Sequence, residues 1–300
     1  MIAPSWPDVH PVPLTAGGFE DFLGPAEHRY FGHGYRRTRY DVSSTGAGGD
    51  VSARVEPHPE ASGGGPVPHL TSIDAMVLPL LLVDRARERG AAPETLQSVT
   101  IAAGSAPWLE LDHVPVSVHA TPDGSGRVIR ARTGSFRTQL RLTPTVARVV
   151  DDDTPTVYGS AYRDIEVHTR LTSVTSDAVL GTHAPDFGRA SMRASGIDGA
   201  LWPGLTAITY VAIMGQLTQV ALRAATGRGR RETGNLWMRR MSIDLSQRRR
   251  PSTDVVTTDT RVTDRRVALR HDPSLQTVEV RSTSSEGVVA LASLAYREAS

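Results

Sequence analysis

Two long apolar helical stretches, each followed by a train of short strand-like segments, constrain the fold of this 300-residue chain more than any other feature. In the first, Ile73, Met76, Val77, Leu80, Leu81 and Val83 are apolar. Charge returns only at Asp84, Arg85, Arg87 and Glu88, which predicts a mostly buried helix from Ser72 closing at Gly90. Pro79 is expected to kink that helix or delay its start. The second stretch, over 205–225, is the longest apolar helical pattern and stops at Gly227. Segments of strand character follow the first helix at 98–103, 114–120, 127–133, 137–150 and 156–167, and the second at 235–245, 254–262, 276–282 and 287–297. The leading strands, at Ser98 and Asn235, are offset by 137 residues, so the order of elements repeats although the residues do not.

A helix followed by antiparallel strands buries its apolar surface by letting the sheet curve round it. Two such units side by side make an α+β double hotdog. The expected parts are an N-terminal extension over 1–28, a first unit over 29–155 and a second over 156–300. An ordinary α+β sandwich is the alternative.

Composition narrows the chemistry. All thirty-three basic residues are Arg and Cys is absent. Schiff-base catalysis, pyridoxal-phosphate anchoring, a Walker-type phosphate loop, a thiolate nucleophile and thiolate metal ligation are therefore excluded. The ten His residues show no HExxH or comparable pair, so no metal site is expected, and no GxSxG elbow occurs. Residues 1–220 hold 18 Arg against 23 acids, a balance of −5, and residues 221–300 hold 15 against 9, a balance of +6. That basic last third suits a phosphate-bearing partner such as coenzyme A or the acidic surface of a carrier protein, or is a solvated surface. With 5% aromatics and no interleaved basic stripe, no nucleic-acid partner is expected. The longest apolar run, 75–83, is far short of a membrane span, and no basic stretch leads into an apolar one at the N-terminus. A cytoplasmic protein that meets no membrane is the expectation, and both monomer and homodimer fit a chain with an internal pseudo-dimer.

Several side chains suit acid–base work. His69 precedes the first helix, Thr71 or Ser72 is placed to cap it, and Asp74 lies in its first turn, where the helix dipole favours a carboxylate. A neutral imidazole oriented by a carboxylate can take a proton next to a carbonyl. An Asp at that position is equally an ordinary helix-start residue. In the second helix, Tyr210, Gln216 and Gln219 sit in apolar surroundings and must find partners or face a cavity, and Gly215 permits close approach. Alternation over Asn235-Leu-Trp-Met-Arg-Arg-Met turns either Arg239 or Arg240 inward, as a salt-bridge partner or an anion clamp. Two glycines flank His33 in Tyr30-Phe-Gly-His-Gly-Tyr-Arg, which either brings His33 and Tyr35 to a ligand or forms a turn into the first strand.

The order of Tyr30-Phe-Gly-His-Gly-Tyr-Arg, a strand, a Gly-rich loop and Pro68-His-Leu-Thr-Ser-Ile-Asp-Ala resembles the avirulence D (AvrD) proteins, which are associated with syringolide biosynthesis. Their matching segments read FFGNGYR and PHLSSIDA, so His33 stands where the family has Asn. The resemblance runs from about residue 24 to the C-terminus. It implies an acyltransferase-type enzyme that joins a β-ketoacyl thioester to a sugar such as xylulose, with cyclisation to a lactone, and kinship in plan with the A-factor type of hotdog enzyme. Donors would be coenzyme A or acyl-carrier-protein thioesters, as substrates and not cofactors. In the expected mechanism His69, oriented by Asp74, deprotonates the hydroxyl, and Gln216 or an inward Arg steadies the oxyanion. His33, Tyr35, Ser72, Tyr210, Gln216, Arg239 and Arg240 form the expected substrate-binding set. A hotdog dehydratase or thioesterase using the same His and carboxylate, and a non-catalytic acyl-binding module, are the alternatives.

Overall fold

The computed structural model describes residues 17–44, 51–57, 67–87, 92–145, 154–188, 193–226, 236–248, 254–269 and 272–297. The expected helix stops at Gly90 and Gly227, and residues 1–16 of the expected extension, lie outside them. Short helices α1 (Phe19–Leu23) and α2 (Tyr35–Arg37) flank a π-helical turn, Tyr30–Gly34, and lead into β1 (Arg39–Ser44) and β2 (Val51–Glu56). The first long helix, α3 (Ser72–Arg85), is followed by β3 (Glu94–Ala102), β4 (Val114–Asp123), β5 (Gly126–Thr133) and β6 (Phe136–Pro144). The same succession then recurs: β7 (Glu166–Val174), β8 (Ala178–Asp186), α4 (Ala207–Thr226), β9 (Trp237–Asp244), β10 (Val256–Leu269), β11 (Asp272–Ser284) and β12 (Val289–Arg297).

All twelve strands form one antiparallel sheet in the order β1-β2-β4-β5-β6-β3-β9-β12-β11-β10-β8-β7. Read outward from the centre, the two halves have the same order, and they meet where Thr100 on β3 pairs with Ser242 on β9. The first half of the sheet packs on α3 through β3, β4, β5 and β6, the second on α4 through β7, β8 and β10, and the helices touch each other. This is the double hotdog, with one core cluster running from Ile73 and Leu80 on α3 to Ile208 and Leu217 on α4. Among the described residues no helix is long and apolar enough to cross a membrane.

Helix α3 is buried from Ile73 to Leu81 and again at Val83, the pattern of a helix surrounded by protein on every side. It already starts at Ser72 and continues through Pro79, so Pro79 does not delay its start. The missing N–H of Pro79 frees the carbonyl of Ala75, four residues back, and the Thr138 hydroxyl on β6 donates to that carbonyl at 2.9 Å. Thr138 is itself 3% exposed. Thr138→Val keeps the shape but leaves a buried acceptor bare, so a loss of about 1–3 kcal/mol is expected by urea unfolding. An unchanged midpoint would show that the carbonyl needs no donor.

One expected strand is corrected and others are added. Of residues 156–167, expected as a strand, 156–165 form turns and the 3₁₀ helix Ala161–Asp164 and only Glu166 and Val167 are extended, at the start of β7; the apolar residues Val157, Tyr158, Ala161 and Tyr162 fill the core from irregular backbone. Strands β2 and β8 and most of β7 lie outside the expected set, because their apolar runs are short and broken by polar residues. The nine residues of β7, at the sheet edge, contain only two buried ones, Leu171 and Val174.

Candidate active site

The start of α3 gathers a dense set of buried polar groups. Thr71 is the N-cap: its hydroxyl accepts from the Asp74 N–H at 3.3 Å, and the Asp74 Oδ2 accepts from the Thr71 N–H at 2.7 Å and its hydroxyl at 2.8 Å. This reciprocal capping box folds the Asp74 carboxyl back over the first turn. The other oxygen, Oδ1, accepts from the Tyr40 hydroxyl on β1 at 2.6 Å and from the Tyr30 hydroxyl at 3.4 Å, and Tyr30 also shares a hydrogen bond of 2.6 Å with the Thr71 hydroxyl. Asp74 is only 2% exposed. Burial pushes its carboxyl above the ordinary value of 3.8, against the opposing hydrogen bonds from Tyr40 and Thr71. Burial first, and then the Asp74 charge, raises both Tyr30 and Tyr40 well above 10, so the phenols stay protonated as donors. The Arg163 guanidinium lies 5.7 Å from the centre of the Tyr40 ring and 5.5 Å from that of Tyr162.

The π-helical turn Tyr30–Gly34 ties this centre to the second unit. While Tyr30 reaches α3, the ring of Phe31 lies against Gly215 on α4, so closely that a Cβ there would fall 2.8 Å from the ring. Arg29, 4% exposed, donates to Gln216 Oε1 on α4 and places its guanidinium 6.0 Å from the Phe19 ring centre. Gly32 is required for a different reason: a Cβ would lie 2.3 Å from the Ala26 carbonyl oxygen. Insertions of this kind concentrate at functional sites.

The duplication does not duplicate the site. At the start of α4 the Thr206 hydroxyl accepts from the Thr209 N–H at 3.2 Å, so Thr209 holds the third helical position that Asp74 holds in α3. One carboxyl serves the whole molecule at these two helix starts.

The other expected residues fall in three groups. Gln216 meets Arg29, as above, and donates weakly to the Ala212 carbonyl at 3.4 Å. Ser72 is the half-buried first residue of α3, next to the cap. His69, however, is not a partner of Asp74: its Nδ1 bonds the Val67 carbonyl at 3.1 Å, and the places around the carboxyl are filled by Tyr30, Tyr40 and Thr71. The expected His69–Asp74 pair is thus corrected, because the capping box turns Asp74 toward Thr71 and its tyrosine partners. His33 is half-buried and held below 6.5 by burial and then by Arg36. Tyr35 is a core residue, stacked on Tyr162 at 6.4 Å, with its hydroxyl pushed up to about 12 by burial. Tyr210, 1% exposed, donates to the Glu286 carboxylate in the core of the second unit. Arg239 and Arg240 are both exposed, which corrects the inward Arg. Arg240 pairs with Ser293 and Met238 with Leu294, so a bulge at Arg239 breaks the alternation. Tyr40, Tyr162, Arg29 and Arg163 were not anticipated. The scarcity of aromatics was the available signal, since four of the seven tyrosines, Tyr30, Tyr35, Tyr40 and Tyr162, collect here.

A cleft of about 520 Å³ is bounded by Tyr40 and also by Arg39, Asp84, Arg85, Gly159 and Arg163. Tyr40 thus both lines the cleft and donates to Asp74. The Asp84 Oδ1 accepts from the Ile197 N–H at 2.9 Å, whereas Oδ2 is shut off from solvent without a partner. Burial pushes this carboxyl from 3.8 up to about 7. A group whose folded-state value is raised holds its proton more tightly when folded, so stability falls as pH rises from about 4 to about 7 and is level above. Asp84→Asn removes this dependence. Its melting temperature should gain on the wild type between pH 5 and pH 8, and a difference that does not change with pH would contradict the assignment.

In fold, the chain is similar to the tesB protein of Mycobacterium avium subs paratuberculosis, at 17% identity and a TM-score of 0.49 over 87% of this chain and 96% of that one. It is also similar to the dehydratase domain from the CurJ module of curacin polyketide synthase, at 11% identity and a TM-score of 0.39 over 86% and 95%. No curated protein matches the chain in sequence. A family model described as Pseudomonas avirulence D protein (AvrD) matches residues 16–146, a shorter span than the expected run to the C-terminus. That span contains the Tyr30-Phe-Gly-His-Gly-Tyr-Arg turn, β1 with Tyr40 and the Asp74 helix start, so AvrD is the family this chain resembles through its candidate active site.

Proposed function

We propose that this chain is a thioester-dependent biosynthetic enzyme that joins a β-ketoacyl group to a sugar or polyol hydroxyl, with Asp74 as its acid–base group. The observation that carries the proposal is the Asp74 carboxyl itself: 2% exposed, raised by burial and bound at 2.6 Å by a tyrosine hydroxyl, at the mouth of an apolar helix. A buried carboxyl held above its ordinary range takes up a proton more readily than a free one, as an acid–base group must. The AvrD match over the same residues supports a biosynthetic enzyme.

In this reading the acceptor hydroxyl displaces Tyr30, the longer of the two tyrosine bonds to Asp74. The carboxylate takes the hydroxyl proton as the oxygen bonds to the thioester carbonyl carbon. Tyr40, which stays protonated, has a single O–H and gives it to Asp74 at rest; once the carboxyl has taken the proton, that O–H turns to the oxyanion, and the N-terminal end of α3 adds its dipole. The carbon–sulfur bond then breaks and the thiolate leaves with the proton from Asp74. Removal of the acidic proton between the two carbonyls by the same carboxylate would permit ring closure. Gln216, held by Arg29, and half-buried Ser72 and His69 at the helix start line the approach.

The absence of Cys gives a clean assay, because a thiol reagent then sees only the thiol released from the substrate. Release from 3-oxoacyl thioesters that accelerates when a sugar is added supports transfer. Equal release without sugar points to a thioesterase, and intact thioester with every acceptor removes the proposal.

A further inference from the structure

We propose that the cleft beside Tyr40 binds a phosphate monoester carried by one of the substrates. Three arginines from three separate elements border it: exposed Arg39 on β1, exposed Arg85 in the last turn of α3 and half-buried Arg163 in the 3₁₀ helix. None is neutralised by a carboxylate among the described residues. Arg85 donates to the Val42 carbonyl at 3.1 Å, Arg163 donates to the Tyr162 hydroxyl at 3.4 Å and lies over two rings, and the side chain of Arg39, whose backbone pairs with Glu56, makes no hydrogen bond or ion pair among those residues. Each therefore keeps donors to spare, and Arg is the side chain whose planar fork matches phosphate oxygens.

The only acid bordering the cleft among the described residues is Asp84. It is pinned by the Ile197 N–H and closed over at Gly196, where a Cβ would fall 2.7 Å from Oδ2. Since burial holds this carboxyl up to about 7, it only partly offsets three fixed positive charges at neutral pH. The remaining excess of positive charge, in a recess of about 520 Å³, is an anion site by charge and of small-ligand size. Its place is informative: Tyr40 forms one wall, and the hydroxyl of that residue is 2.6 Å from Asp74. A phosphate held there anchors a substrate whose reacting end lies one tyrosine side chain away. Which substrate carries it, acceptor or thioester donor, rests on the reading of function above. The anion site does not.

Calorimetric titration of the full chain at low salt, with inorganic phosphate, glycerol 3-phosphate and adenosine 3′,5′-bisphosphate as probes, tests the proposal without any turnover. Saturable binding of at least one ester is expected. It should weaken about tenfold or more in the Arg39→Gln/Arg85→Gln double variant. In Arg261→Gln, whose guanidinium pairs with Asp259 on β10, it should hold. Binding of glycerol 3-phosphate alone assigns the phosphate to a phosphorylated polyol acceptor, and of the bisphosphate alone to the nucleotide of a coenzyme A donor. The proposal is overturned if neither ester binds, if only inorganic phosphate does, or if the double variant binds as the wild type does. Ester binding in a protein that leaves thioesters intact would keep this site and remove the acyl-transfer reading.

Discussion

Asp74→Asn is expected to lower acyl transfer by about 10²–10⁴-fold while leaving the fold in place. The amide cannot take a proton, and it offers one acceptor where the carboxylate offers two, so either the Tyr40 bond or the Thr71 arm of the capping box is lost. That structural loss is about 1 kcal/mol, small against the buried surface of α3. His69→Ala, measured alongside, decides between the two candidate bases. With Asp74 as the base, His69→Ala costs less than about tenfold, and an equal collapse would restore the imidazole to that role. The pH profile supplies a second readout. A base must be ionised, so the rate should rise with pH through a value above the ordinary carboxylate range, because burial raises Asp74.

Asp198→Ala is expected to cost about 3–5 kcal/mol of stability, the largest loss from any single substitution considered. Asp198 is 3% exposed and accepts from the Leu96 N–H at 2.9 Å, the Tyr158 hydroxyl at 2.5 Å and Arg248 at 2.9 Å, fastening the start of β3 to the loop before α4. The Arg248 side chain is itself 5% exposed, so removing the carboxylate strands a buried cation together with two donors. Asp198 also sits at φ +64°, a backbone region that Asp and Asn enter more readily than Ala. Asp198→Asn keeps that tolerance and one acceptor, and should lose markedly less. Urea unfolding of the two variants checks this, and equal losses would mean that charge, not backbone, sets the cost.

Much of the architecture was legible because the two long helices announce themselves. A helix with apolar residues on every face cannot lie on a surface, and two of them, each followed by strands, leave few ways to build a core. Edge strands carry no such signal: β7 exposes most of its length and reads as loop. Local alternation failed at Arg239 because a bulge is set by the partner strand and not by the residues themselves. The site was legible in part. Thr71-x-x-Asp74 is a local pattern, so the helix start and its carboxyl could be found. Tyr40 lies 34 residues from Asp74 and reaches it only because β1 forms the outer wall of the first unit. His69 was attractive because it is near in sequence, yet the cap that starts the helix also turns the carboxyl away from it.

Mass spectrometry of wild-type and Asp74→Asn protein, each incubated with a 3-oxoacyl thioester and a panel of sugars and sugar phosphates, tests the central claim most directly. The account predicts a new acyl-sugar mass that depends on the wild-type protein and is lost, or nearly so, in the variant. An acyl-sugar product formed equally well by Asp74→Asn would contradict it.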